Sequence, residues 1–294
     1  MNHHHSKYSA RDLLDTAARR VGIDSADATL IRDGSNTMYQ LTNGVVARIG
    51  QPGTSDRALR EVAVSRWVSA QGIPVVRIVA DTPQDVVINN RPITWWISLP
   101  NHRAATPAEL GKVLHAFHSL PIPTGLALLA HDPFSGFDGC TEAGSLLAKS
   151  EQLWLERRID QLRAEYRESA NPRLLHGDAW QGNVAVTESG EAILLDLENV
   201  SIGRHHWDLV QIAADYTDFA RVTNEEYRSF VDAYGGFDVT DMSDYRTLAD
   251  IVELRWTCFA IKKSAVSNKA AHEARHRIAC LRGEHPRPWS WNAL

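Results

Sequence analysis

Cysteine is scarce in this chain, long apolar runs are missing and there is no basic excess. Only Cys140, Cys258 and Cys280 occur in 294 residues, far apart and without metal-ligand spacing. Three reduced thiols in a cytoplasmic protein are the simplest expectation. No stretch approaches the roughly 18 apolar residues of a membrane-spanning helix. The start of the chain shows neither the basic segment nor the apolar core of a secretory signal. A formal net charge of −5 argues against nucleic acid as a partner. Neither membrane nor nucleic acid is therefore expected to bind. No repeat or low-complexity tract occurs, and His3-His4-His5 is set aside as a terminal tract outside the fold.

What is present is ordinary for a globular protein, with 44% hydrophobic and 23% charged residues, enough for a large core in one or two domains. Ser9 to Asp12 resembles a capping box, followed by Leu13, Leu14, Ala17, Ala18 and Val21 at helical spacing. Strands are predicted over 28–32, 37–42, 45–49, 86–89 and 93–97, with a tight turn at Asn43-Gly44 and a helix over 57–70. Beyond residue 99 helices dominate, predicted over 107–120, 141–168, 206–219, 225–234, 243–266 and 270–281. One short β hairpin, around 184–186 and 193–195, interrupts them. The reading is an α+β chain in two domains, a sheet-rich 1–99 and a helical 100–294.

The stretch Leu175-His176-Gly177-Asp178-Ala179-Trp180-Gln181-Gly182-Asn183 carries the chemistry, together with Leu194-Leu195-Asp196-Leu197-Glu198. An aspartate, an asparagine five residues on and an acid eighteen residues on form a spacing suited to phosphoryl transfer. Asp178 would accept or orient the proton of an attacking hydroxyl. The Asn183 amide and the Asp196 carboxylate would hold Mg²⁺ against the phosphates of a nucleotide.

These residues, with Ile202-Gly203 and Trp207-Asp208-Leu209, resemble the aminoglycoside phosphotransferase and choline kinase family, small-molecule kinases on the protein-kinase fold. The resemblance implies that Asp178 is the catalytic base and that Asn183 and Asp196 are metal ligands. It also implies that Asp208 braces the catalytic loop and that Glu198 adds to the metal site or its surroundings. His176 is expected to hold the loop rather than to move protons.

At the nucleotide end, Gly34, Ser35, Asn36 and Thr37 occupy the turn where a kinase carries its phosphate-covering loop, although only one glycine remains. Arg48 stands where a kinase places its phosphate-contacting lysine, and Glu61 is its expected helical partner. Backbone groups near Ser98 would read the base, without choosing ATP over GTP. Trp95 and Trp96, adjacent on one strand, should face opposite sides.

At the acceptor end, residues 208–255 hold eleven acids and four Lys or Arg, whereas 261–294 hold seven Lys or Arg and two acids. Asp215, Asp218 and Glu253 are therefore the expected recruiters of a cationic acceptor, with Trp180 and Trp256 as aromatic walls. Glu253-Leu254-Arg255-Trp256 also reads as an internal ion pair with a core tryptophan. The acceptor is expected to be a small hydroxylated molecule, either an aminoglycoside-type antibiotic or a metabolic amino alcohol or amino sugar. A nucleotide-binding pseudokinase is the alternative of a different class.

Overall fold

The computed structural model describes residues 8–99, 101–140 and 147–294. His3-His4-His5, Pro100 within the expected base-reading segment and the first residues of the helix expected over 141–168 lie outside them. In chain order the elements begin with α1 (Ala10–Val21), β1 (Thr29–Asp33), β2 (Thr37–Gln40), β3 (Val45–Ile49) and α2 (Ser55–Ala70). Next come β4 (Val86–Ile88), β5 (Arg91–Ile97), β6 (His102–Ala104), α3 (Pro107–His118) and α4 (Lys149–Glu165). After β7 (Arg173–Leu175), β8 (Val184–Thr187), β9 (Ala192–Leu194) and β10 (Ser201–Gly203), the chain ends in helices. These are α5 (Trp207–Thr217), α6 (Asn224–Ala233), α7 (Tyr245–Lys263) and α8 (Asn268–Leu281).

The chain divides into two compact units, the first comprising Met1–Ala105, Ile122–Leu128 and Gln181–Val200, the second the remainder. The β8–β9 hairpin thus groups with the first unit, although it follows residue 99 by some way in sequence.

In the first unit, β1-β2-β3-β5-β4 form an antiparallel sheet, and β6-β8-β9 form a second. Strand alternation sorts the paired tryptophans. Trp95 pairs in register with Ala47 and packs with Leu13, Leu14 and Ala17 of α1. Trp96 pairs with Val46 and packs with Val62 of α2. Helix α1 starts where Ser9 and Asp12 exchange the two bonds of a capping box, and it stops at Gly22, whose φ of 73° suits glycine.

The second unit is mostly helical, with β7 and β10 forming a two-stranded antiparallel ribbon. Helix α3 begins at a Thr106–Glu109 capping box with Pro107 in its first turn. It approaches α6 closely enough that a Cβ on Gly111 would stand 2.5 Å from the Phe230 carbonyl oxygen. Helix α4 starts at Lys149, with Leu147 and Ala148 before it outside the helix. The expectation of three reduced thiols is corrected: Cys140 and Cys258 form a disulfide, with Cα atoms 5.3 Å apart, and Cys280 alone is a free, buried thiol. A separation of 118 residues hid this pairing, which only the folded chain brings about.

Candidate active site

In the second unit, β7 delivers His176, Gly177 and Asp178. Pairing of Leu175 with Ser201 fixes the strand end, and Gly177 turns the chain at φ 85°, a conformation that favours glycine. The turn is then pinned from below. Asp208, 1% exposed at the start of α5, accepts from the His176 N–H at 2.6 Å and the Gly177 N–H at 2.8 Å. Its Oδ2 also meets His118 Nε2 at 2.9 Å, while His118 Nδ1 meets the Tyr234 hydroxyl at 2.8 Å. Burial alone would raise the Asp208 pKa; the His118 hydrogen bond and charge, with His176, outweigh it and hold the carboxyl below its ordinary value. The Asp178 N–H donates to His176 Nδ1 at 3.3 Å. Asp178 is thereby held at a cavity of about 310 Å³ whose wall includes Trp207, Arg255, Trp256, Phe259 and Lys262.

In the first unit, Arg48 is the centre. It sits on β3 opposite Met38 and Thr94 and donates from Nη1 to Glu61 of α2 at 2.5 Å. From Nη2 it donates to Glu198 at 2.7 Å, and Asp196 Oδ1 lies 3.7 Å away. With the Asn36 amide assigned by its hydrogen-bond network, the Asn36 oxygen accepts from Arg48 Nη2 at 2.6 Å and Nε at 3.0 Å. Arg57 donates to the second oxygen of Glu198 at 2.6 Å. Burial pushes the Glu61 carboxyl up to about 7, against the pull of Arg48. Burial opposes the charge on Arg48 too, but Glu61, Glu198 and Asp196 more than compensate, so its pKa rises.

Hairpin register brings Asn183 near Asp196 along the chain. Val184 pairs with Leu194, and Leu195 N–H donates to the Asn183 carbonyl at 2.9 Å, which sets Asn183 beside the residues leading into Asp196. Asp196 has φ 53°, and no hydrogen-bond donor among the described residues reaches its buried Oδ1. An orphaned carboxylate oxygen suits a hard cation, which takes oxygen ligands and would satisfy that atom. Among the described residues no three His, Cys, Asp or Glu side chains converge as a metal cluster.

Ser35, Asn36, Arg48, Glu61, Arg57 and Glu198 share one cavity of about 290 Å³. Gly34 donates its N–H to the Asn36 carbonyl at 3.3 Å, closing the turn. Thr37 turns inward, 3% exposed, and its hydroxyl donates to Asp33. Ser98 lies elsewhere, donating to Gln40 at 2.9 Å and lining a cavity of about 480 Å³ with Arg77 and Thr187.

The acids expected at the acceptor end are placed differently. Asp218 and Glu253, 2% and 0% exposed, are gripped by Arg246 and Arg287, and Asp215 pairs with Arg221 at 3.0 Å. None of the three lines the cavity at Asp178, nor does the 44%-exposed Trp180. Trp256, expected as an aromatic wall, does line it, together with Arg255, expected only in an internal ion pair, and with Phe259 and Lys262, which the sequence did not single out; Arg255, Phe259 and Lys262 share one face of α7. Their i, i+4, i+7 spacing was the available signal. His205 and His206 are pushed down to about 3 and about 4 by burial first and by neighbouring basic groups. They pack against each other, with ring centres 4.1 Å apart.

Residues 27–250 match the model of the phosphotransferase enzyme family. The chain belongs to that family and is an enzyme of the phosphotransferase class. Its fold is that of the protein-kinase-like small-molecule kinases. An amicoumacin kinase solved in complex with AMP-PNP, Ca²⁺ and Ami is similar over 95% of both chains, at 15% identity and a TM-score of 0.72. A spectinomycin phosphotransferase in complex with ADP and spectinomycin is similar over 93% of this chain and 94% of its own, at 14% identity and TM-score 0.65. A choline kinase from Streptococcus pneumoniae is similar over 92% and 97%, at 13% identity and TM-score 0.62. No curated protein sequence matches the chain significantly.

Proposed function

We propose that the chain transfers the γ-phosphate of ATP or GTP to a hydroxyl of a small molecule, with Asp178 as the base. The observation that carries this reading is the presentation of Asp178. A turn fixed through two backbone N–H groups by a fully buried carboxylate holds it at a cavity of small-molecule size. Such a carboxylate accepts the hydroxyl proton as the oxygen attacks phosphorus, a step in which positioning dominates. Asn183 and Asp196 are the residues that would hold Mg²⁺. An ion held there would supply positive charge against that of the nucleotide phosphates. Arg48, oriented by Glu61 and Glu198, adds a fixed positive charge beside them, and Ser35 and Asn36 close the same cavity.

Cationic-acceptor selection by Asp215, Asp218 and Glu253 gains no support, because each is neutralised by arginine within its own unit. The test is nucleotide consumption by the purified protein with Mg²⁺ and either ATP or GTP. The acceptor panel would span aminoglycosides, peptide antibiotics, amino alcohols, amino sugars and hydroxy acids. Acceptor-dependent release of nucleoside diphosphate is expected. Nucleotide binding with no transfer to any acceptor would favour a pseudokinase.

A further inference from the structure

The wall of the cavity at Asp178 carries two cations against one carboxylate. Lys262, on the exposed side of α7, donates to the Gly136 carbonyl at 2.6 Å. Arg255 stacks over the Trp207 ring at 5.3 Å and makes a long 3.4 Å bond to the Pro133 carbonyl. Burial weakens the hold of Arg255 on its proton, and the charges of Asp178 and Asp132 partly restore it. A guanidinium nevertheless stays charged at every working pH. Two of the three aromatic rings in that wall are already engaged by the protein's own cations: Arg255 lies over Trp207 and Lys263 over Phe259 at 5.5 Å. A substrate ammonium would meet these charges as like charges, and two of the rings that would cage it already carry cations.

We infer that the acceptor is a hydroxylated molecule with an anionic group, a carboxylate being the simplest, joined to an apolar or aromatic body. The hydroxyl lies at Asp178, the anion at Lys262 and Arg255, and the body against Trp256 and Phe259. This assignment rests on the phosphotransfer reading for the role of Asp178, but the charge of the pocket stands apart from it.

The test uses three probes on one phenylpropane skeleton: 3-phenyllactate (anionic), 3-phenylpropane-1,2-diol (neutral) and phenylalaninol (cationic), with kanamycin as a polycation. Binding is read by calorimetry in the presence of a non-hydrolysable nucleotide and Mg²⁺, and turnover with ATP or GTP. Phenyllactate should bind about tenfold or more tighter than phenylalaninol, as complementary charge dictates. Lys262→Glu, at an exposed position that leaves the core intact, should erase that preference. Arg255→Gln should reduce it. If phenylalaninol or kanamycin binds as well as phenyllactate, or is turned over with equal or higher kcat/KM, the inference is overturned and the phosphotransfer reading survives. It is overturned equally if phenyllactate does not bind. Phenyllactate binding that is lost in Lys262→Glu, with no phosphate transferred to any acceptor, would uphold the pocket and bring down the phosphotransfer reading.

Discussion

The two units handle charge in opposite ways. In the first, Arg48 faces three acids, Glu61, Glu198 and Asp196, and among the described residues no hydrogen-bond donor reaches one Asp196 oxygen. The surplus is negative, as a cation site requires. In the second, the acids are matched by arginines: Arg246 alone reaches Asp218, Asp250 and Glu253, and Arg287 returns from the tail to Asp218 and Glu253. Its cavity keeps a positive surplus. A run of acids in sequence therefore says little about the sign of a site; the pairing after folding decides it.

The comparison breaks most sharply at the buried brace of the second unit. Asp208→Ala would strand the His176 and Gly177 N–H groups and His118, at a cost of about 3–5 kcal/mol. Urea unfolding should show that loss together with collapse of turnover. In the first unit, Asp196→Asn, which keeps a side chain tolerated at φ 53°, should weaken Mg-nucleotide binding about tenfold or more while leaving stability nearly intact. Unchanged affinity by calorimetry would take Asp196 out of the cation site. Glu253→Gln removes one of the two buried carboxylates that Arg246 and Arg287 share, leaving Asp218 as the other. Both arginine side chains are about 40% exposed and regain water, so about 1–3 kcal/mol is expected, with cationic acceptors bound no worse. Gly111→Ala should cost about 1–3 kcal/mol in the α3–α6 contact.

The smallest effect is a pH slope. His131, His205 and His206 are pushed down to about 4, about 3 and about 4, chiefly by burial. Unfolded histidine takes up its proton near 6.5, so their share of stability is complete above that pH and is lost as pH falls toward 4. Glu253, pushed up to about 8 by burial, works the other way: its share is complete below about 4.5 and lost as pH rises through 8. His206→Asn should flatten the acid limb of a urea-unfolding series between pH 5 and 7 and leave the alkaline limb in place.

Much of this was legible because it is local. The 178, 183 and 196 spacing, the alternation that parts Trp95 from Trp96 and the capping box at Ser9 each lie within a few residues or one hairpin. Arg48 and Glu61 were expected to pair because Arg48 stands where a kinase places its lysine and Glu61 lies on the helix after that strand, and they do pair. What was not legible depends on distant returns of the chain: Arg287 reaching Asp218, Cys140 reaching Cys258 across 118 residues, and Glu198 joining Arg48 across 150. Arg255 was readable as a helix-face residue, but its environment comes from Trp207 and the loop at Pro133.

The most direct test of the central claim is Asp178→Asn, assayed for nucleotide affinity and for acceptor-dependent turnover in the same preparation. A fall in turnover of about 10²–10⁴-fold with nucleotide affinity retained is the predicted result for a lost general base. Turnover that survives the substitution, or affinity that disappears with it, would contradict the assignment of Asp178 as the base.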